Sequence, residues 1–103
     1  MEQHFTYDPR LQLSIPDLPR PFYTFSQREQ ALIIAEWENH RGEIPDKVKE
    51  LEKEIEKCLV RLNNEDDFEA SCQLNDRISQ LASMINDLWI WYRTNPVITA
   101  KTS

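Results

Sequence analysis

Two cysteines, two histidines and 18 carboxylates are the side chains in this 103-residue chain with reactive or metal-binding chemistry to offer, and their spacing limits what that chemistry can be. Zinc sites draw four nitrogen or sulfur ligands from closely spaced pairs; Cys58 and Cys72 could form a redox pair or share a metal, but each falls at or beside an apolar helical position, and no histidine is close in sequence, His4 and His40 being isolated. A nucleophilic thiol or hydroxyl needs a base within hydrogen-bond reach, and no motif supplies one. Phosphate-cradling loops and nucleophile elbows need several glycines, and Gly42 is the only glycine. No catalytic residue, no metal site and no cofactor is therefore expected. The cysteines read as reduced thiols serving as small core residues.

Carboxylates become concentrated once, where Glu65, Asp66, Asp67 and Glu69 surround Phe68. Such a cluster can grip a basic partner, but Asp66 and Asp67 also suit the start of a helix through capping and the helix dipole, and capping is the favoured role. Phe68 itself is either an exposed anchor or a plug closing the end of a helical pair against Leu62; the plug is favoured. Trp89, Trp91 and Tyr92 are rings of the kind that dominate interface energies, with burial beneath other elements as the competing use. Leu18-Pro19-Arg20-Pro21-Phe22-Tyr23 either offers Phe22 and Tyr23 to a partner's aromatic groove or carries an extended chain into the first helix. The candidate contact residues are thus Phe68, Glu69, Asp66, Asp67, Trp89, Trp91, Tyr92, Phe22 and Tyr23.

The formal charge of −6 repels phosphate backbones and anionic lipid, so no direct nucleic-acid or membrane partner is expected. No apolar run reaches the length of a membrane span, and Met1-Glu2-Gln3-His4 lacks the features of a signal peptide, which together place the chain in the cytoplasm.

The elements that must position these residues read as all-α. Residues 1–25 hold Pro9, Pro16, Pro19 and Pro21 among recurring aromatic and aliphatic side chains, which predicts an extended arm lying on an apolar surface. Leu11-Gln12-Leu13-Ser14-Ile15 alternates like a strand, but is too short to imply a sheet, and is read as a lone extended segment. Ser26-Gln27-Arg28-Glu29 is a capping box that starts a first helix running to Arg41, where Gly42 is expected to take a left-handed terminating conformation. Pro45 and Asp46 open a second helix, in which Val48, Leu51, Ile55, Cys58 and Leu62 keep coiled-coil spacing. After Asn63-Asn64-Glu65 the spacing resumes through Phe68, Ser71, Leu74, Ile78, Leu81, Ile85, Leu88 and Tyr92.

So short a connection makes the second and third helices antiparallel neighbours, a hairpin over residues 46–93 in a domain of residues 26–93. Reflection about Glu65 pairs Leu62 with Phe68 and Cys58 with Cys72. About 18 residues then face about 26, so the third helix overhangs and the shorter first helix is expected to cover it. The overhang holds Leu88-Trp89-Ile90-Trp91-Tyr92, which one buried face cannot hide. The tail over 94–103 is expected to fray.

Within the hairpin, Val48-Lys49-Glu50-Leu51-Glu52, an acidic connection, and Phe68-Glu69-Ala70-Ser71-Cys72-Gln73-Leu74-Asn75-Asp76-Arg77-Ile78 resemble the UVR motif over about residues 46–85. That motif is a helical hairpin mediating protein contacts in the B and C subunits of the excision nuclease, in the middle domain of certain Clp unfoldases and in a regulator of a protein-arginine kinase. Ser71 and Cys72 stand where the family carries two alanines and remain small enough for close helix contact. Asn75 stands where the family has arginine. The resemblance implies a docking hairpin, with a Clp-type unfoldase or a repair-nuclease subunit among its partners.

The sequence thus points to a non-catalytic protein–protein interaction module: an adaptor, assembly factor or inhibitor. Two alternatives stand beside it. One is an acidic regulatory subunit of an enzyme or transcription complex; the other is a homodimer completing a four-helix core.

Overall fold

The two seams meet as expected. In the computed structural model, which describes residues 3–94, the chain forms β1 (Phe5–Asp8), β2 (Leu13–Pro16), a short 3-10 turn (Phe22–Thr24), α1 (Gln27–Arg41), α2 (Ile44–Asn63) and α3 (Phe68–Tyr92). α2 and α3 pack side by side as an antiparallel hairpin. Val48 of α2 and Leu74, Leu81 and Leu88 of α3 are buried, with Leu51, Ile55, Leu62, Ile78 and Ile85 half-buried along the same seam. Lysine, arginine and glutamate occupy the outer faces, where Arg77 bridges to Glu54 at 3.0 Å. The molecule is consequently elongated, 60 Å by 24 Å by 22 Å. Among the described residues, no helix is long and apolar enough to cross a membrane.

The start of α1 follows the capping box. The Ser26 hydroxyl accepts from the Glu29 amide at 3.1 Å and contacts the Glu29 carboxylate at 3.1 Å. Its end departs from expectation: Gly42 is right-handed, with φ −63° and ψ −19°. The physical reason is that α2 begins almost at once, so the chain changes direction only slightly and the last carbonyls of α1 remain served by helical donors. The Gly42 amide donates to Glu38 at 3.0 Å and the Glu43 amide to His40 at 3.1 Å. Pro45 supplies the bend, since it has no N–H to offer the carbonyl of Arg41, four residues earlier. α1 and α2 are nearly one bent helix.

The all-α expectation is corrected at the N-terminus. The segment around Leu13 is not alone: β1 and β2 pair antiparallel, with Phe5 opposite Pro16, Thr6 opposite Ile15, Tyr7 opposite Ser14 and Asp8 opposite Leu13. The turn is built by Asp8, whose Oδ1 accepts from the amides of Arg10 at 2.9 Å and Leu11 at 3.2 Å, and by Gln12, which takes a positive φ of 53°. Asp followed by Pro is a turn-opening pair, and Asp8-Pro9 was the signal for this hairpin. Prolines did not prevent it. The Asp17 amide donates to the His4 carbonyl at 2.9 Å, so alternation along the ladder puts Pro16 where its nitrogen points away from β1.

This β-hairpin closes the core. Leu11 and Leu13 join Trp37, Ile44, Val48 and Leu88 in one buried cluster, flanked by Phe5, Ile15, Trp89, Trp91 and Tyr92. Arg10 at the turn reaches α3, contacting Asp87 at 2.7 Å and Ser83 at 2.9 Å. A second, smaller cluster joins Phe22 and Phe25 to Ile33 of α1, with Leu18 and Phe5 against it. The expected arm therefore does lie on an apolar surface, as a hairpin followed by a short wrap. Of the tail expected to fray, only Thr94 is within the described residues.

The geometry fixes the expected stability of three variants. Gly42→Ala should raise unfolding free energy by about 0.4–1 kcal/mol in urea titrations, because a right-handed glycine gains from a stiffer unfolded chain and a Cβ there meets only Glu38 and Asn39 carbonyls at 3.4 and 3.6 Å. A left-handed Gly42 would give the opposite sign. Leu13→Ala should cost about 2–5 kcal/mol, whereas Arg10→Ala, which breaks a solvent-exposed pair, should cost less than about 1 kcal/mol.

Candidate functional site

The hairpin tip holds most of the candidate residues that face solvent. α2 ends as the Asn64 and Glu65 amides donate to Arg61 and Leu62, and the Asn64 side chain donates to the Val60 carbonyl at 2.9 Å. The Glu65 carboxylate then accepts from the Asp67 amide at 3.0 Å, fixing the entry into α3. These local bonds leave the tip loop little freedom.

Phe68, the first residue of α3, projects from this loop with 82% of its surface exposed. The plug reading fails: Leu62 is half-buried without it, because the seam of α3 begins at Ala70, Ser71 and Leu74 and Phe68 lies off that face. Asp66, Asp67 and Glu69 are exposed around the ring. Asp67 does occupy the cap position of α3, but its side chain makes no cap hydrogen bond. Within the cluster it is Glu65 that hydrogen-bonds at this helix start, through the Asp67 amide, and the other carboxylates act on the helix through its dipole.

The cysteines also depart from their expected placement. Cys58 is half-buried and Cys72 exposed, both as free thiols. Reflection about Glu65 set Cys72 opposite Cys58, but the α3 seam runs through Ser71 and Leu74, and Cys72, one residue beyond Ser71, points about 100° away from it. Cys58 lines a small cleft of about 220 Å³ with Arg61, Glu65, Ala70, Gln73 and Arg77. Among the described residues, no group of three or more histidine, cysteine or acidic side chains is placed to hold a metal ion.

At the other end of the seam, the aromatic candidates are half-buried and engaged within the chain. Trp91 stands edge-on to Trp37 with ring centroids 6.2 Å apart, and Trp89 edge-on to Tyr92 at 5.3 Å. The Trp37 indole donates to the Thr94 carbonyl at 2.9 Å. Arg41 donates to the Tyr92 carbonyl at 3.3 Å and lies 5.0 Å from the centre of its ring. A side-chain hydrogen bond to Glu38 raises the Arg41 pKa further above its ordinary value, with desolvation opposing it, so this cation is permanent. The overhang is thus covered by α1 and the β-hairpin, except for Ile90 on the outer face.

In the arm, Phe22 is only 4% exposed while Tyr23 is 72% exposed. Arg20 holds this stretch in place by donating to the Thr24 carbonyl at 2.6 Å and stacking 3.9 Å above the Phe25 ring. His4 packs edge-on against Phe25, and its Nε2 is buried with no hydrogen-bond partner among the described residues. The nine candidates therefore fall into three places: Phe68, Glu69, Asp66 and Asp67 at the tip, the Trp89, Trp91 and Tyr92 group at the α1 junction, and Phe22 and Tyr23 on the arm. Sequence reasoning missed the exposed apolar residues Leu59 and Val60 on α2, which lie off the seam near the tip.

No protein-family model matches the chain, and no curated protein or solved structure matches it.

The thiol geometry is checked by alkylation. Cys72 should react with a bulky maleimide in the native protein faster than Cys58, the two rates should converge in denaturant, and Cys72→Ser should remove the fast phase.

Proposed function

We propose that this protein is a non-catalytic, cytosolic interaction module that docks on another protein through the tip of its α2–α3 hairpin. The observation carrying this reading is Phe68, a large ring left 82% exposed at the end of a rigid hairpin. Burying such a ring in a partner's pocket contributes more than any other side chain on the tip can, and its position is fixed beforehand by local hydrogen bonds, which lowers the ordering cost of binding. The carboxylates of Asp66, Asp67 and Glu69 surround it and favour a partner whose pocket is rimmed by lysine or arginine. They steer association more than they hold it. The resemblance of the hairpin to the UVR motif agrees with this use, and makes a Clp-type unfoldase or a repair-nuclease subunit the first partner to test.

The test is capture of partners from native lysate on the immobilised full chain, followed by affinity measurement with the purified partner. Phe68→Ala should weaken binding by at least about 2 kcal/mol, roughly thirtyfold, with helicity and unfolding midpoint unchanged. Raising salt should slow association. Undiminished binding by Phe68→Ala overturns the tip as the docking site. A dimeric mass in sedimentation, abolished by Phe68→Ala, would convert the reading to self-association.

A further inference from the structure

We infer that the molecule carries a second docking site, a groove between the start of β1 and one flank of α1, and that it takes a cationic peptide segment with an apolar anchor from another protein. The argument begins with α1. Ala31-Leu32-Ile33-Ile34-Ala35 is apolar for five consecutive residues and so presents apolar surface all round the helix, a pattern that belongs to helices covered on several sides. Only Ile33 of the five is buried; Leu32 is 60% exposed and Ile34 38% exposed. The β-hairpin and arm cover the side of α1 that carries Ile33 and Trp37, and leave the Leu32 side open.

That open side is concave. His4 and Phe5 form one wall, and Glu29, Leu32, Ala35 and Glu36 on successive turns of α1 form the other, around a volume of about 860 Å³. Such a volume suits a few side chains of a peptide. Leu32 and Phe5 give the floor an apolar surface. Both ionisable carboxylates on the wall, Glu29 and Glu36, are negative, and among the described residues no lysine or arginine lines the groove. Glu29 receives the Ser26 hydroxyl through one oxygen and Glu36 faces His40 Nε2 at 3.4 Å through one oxygen, so each keeps acceptor capacity for an incoming cation. A second copy of this chain is the wrong occupant on charge, because it would bring another −6 against these carboxylates. A lysine- or arginine-bearing segment with a leucine or valine at its centre satisfies both the floor and the rim. This site lies on α1, whereas Phe68 follows the distal end of α2, and the two share no residue, so its occupancy is independent of the tip.

The test uses the full chain and a fluorescein-labelled peptide whose central leucine–valine pair is flanked by lysines, with a matched peptide in which glutamates replace the lysines. Anisotropy should show saturable binding of the lysine peptide and none of the glutamate peptide. Leu32→Arg and Glu36→Lys should each weaken the lysine peptide by about tenfold or more, with unchanged circular dichroism, while Phe68→Ala should leave it unaltered. Absence of binding up to about 1 mM, equal binding of both peptides, or indifference to both groove variants would overturn the site. A wild-type dimer in sedimentation that Leu32→Arg renders monomeric would overturn the peptide as occupant and assign the groove to a second copy.

Discussion

Trp37 is the contact on which the rest of this structure depends. A two-helix hairpin can bury residues along its seam but leaves the end of that seam open to water. Trp37, 1% exposed, fills this end: it lies against Trp91 of α3, stacks with Phe5 of β1 at 6.5 Å and sits in the cluster formed by Leu13, Ile44, Val48 and Leu88. Its indole nitrogen would be an orphan there without the Thr94 carbonyl. One side chain thereby joins α1, α3 and the β-hairpin.

From that junction the molecule has two unlike halves. Toward the tip, α2 and α3 cover only each other, so the seam is shallow, most of its residues are half-buried, and the outer faces are charged. Toward the N-terminus of α1, the strands and the arm add a further layer, and Ile33, Trp37, Ile44 and Leu88 are deeply buried there or at the junction, while Leu81 is equally deep out along the seam. A firm base and a projecting hairpin suit a part that presents a small surface at a distance. Apolar side chains left uncovered, among them Phe68 at the tip and Leu32 on α1, occur in both halves.

The helices were legible because their signals are local. The Ser26 box, the apolar spacing from Val48 to Leu62 and from Leu74 to Tyr92, and the polar break between them act within a few residues of each other. The β-hairpin was not, because each strand alone is a short run of alternating residues and its stability comes from packing Leu11 and Leu13 on helices distant in sequence. Gly42 misled for a related reason: a glycine after a helix commonly ends it in the left-handed region, and nothing local reveals that the next helix continues nearly in line.

For the candidate site, the sequence by itself determined which residues are unusual: a phenylalanine among carboxylates, a cluster of tryptophans and an aromatic arm. It did so because composition departs from what solvated helices need. Only the tertiary structure decided which of them face solvent. Phe68 turned outward and Phe22 inward, Cys72 faced solvent, and Trp91 and Tyr92 became half-buried beside Trp37 and Arg41. The physical reason is that neighbouring residues on a helix point about 100° apart, so Cys72, one position beyond the seam residue Ser71, faces solvent, while burial of the arm's rings depends on packing against helices distant in sequence.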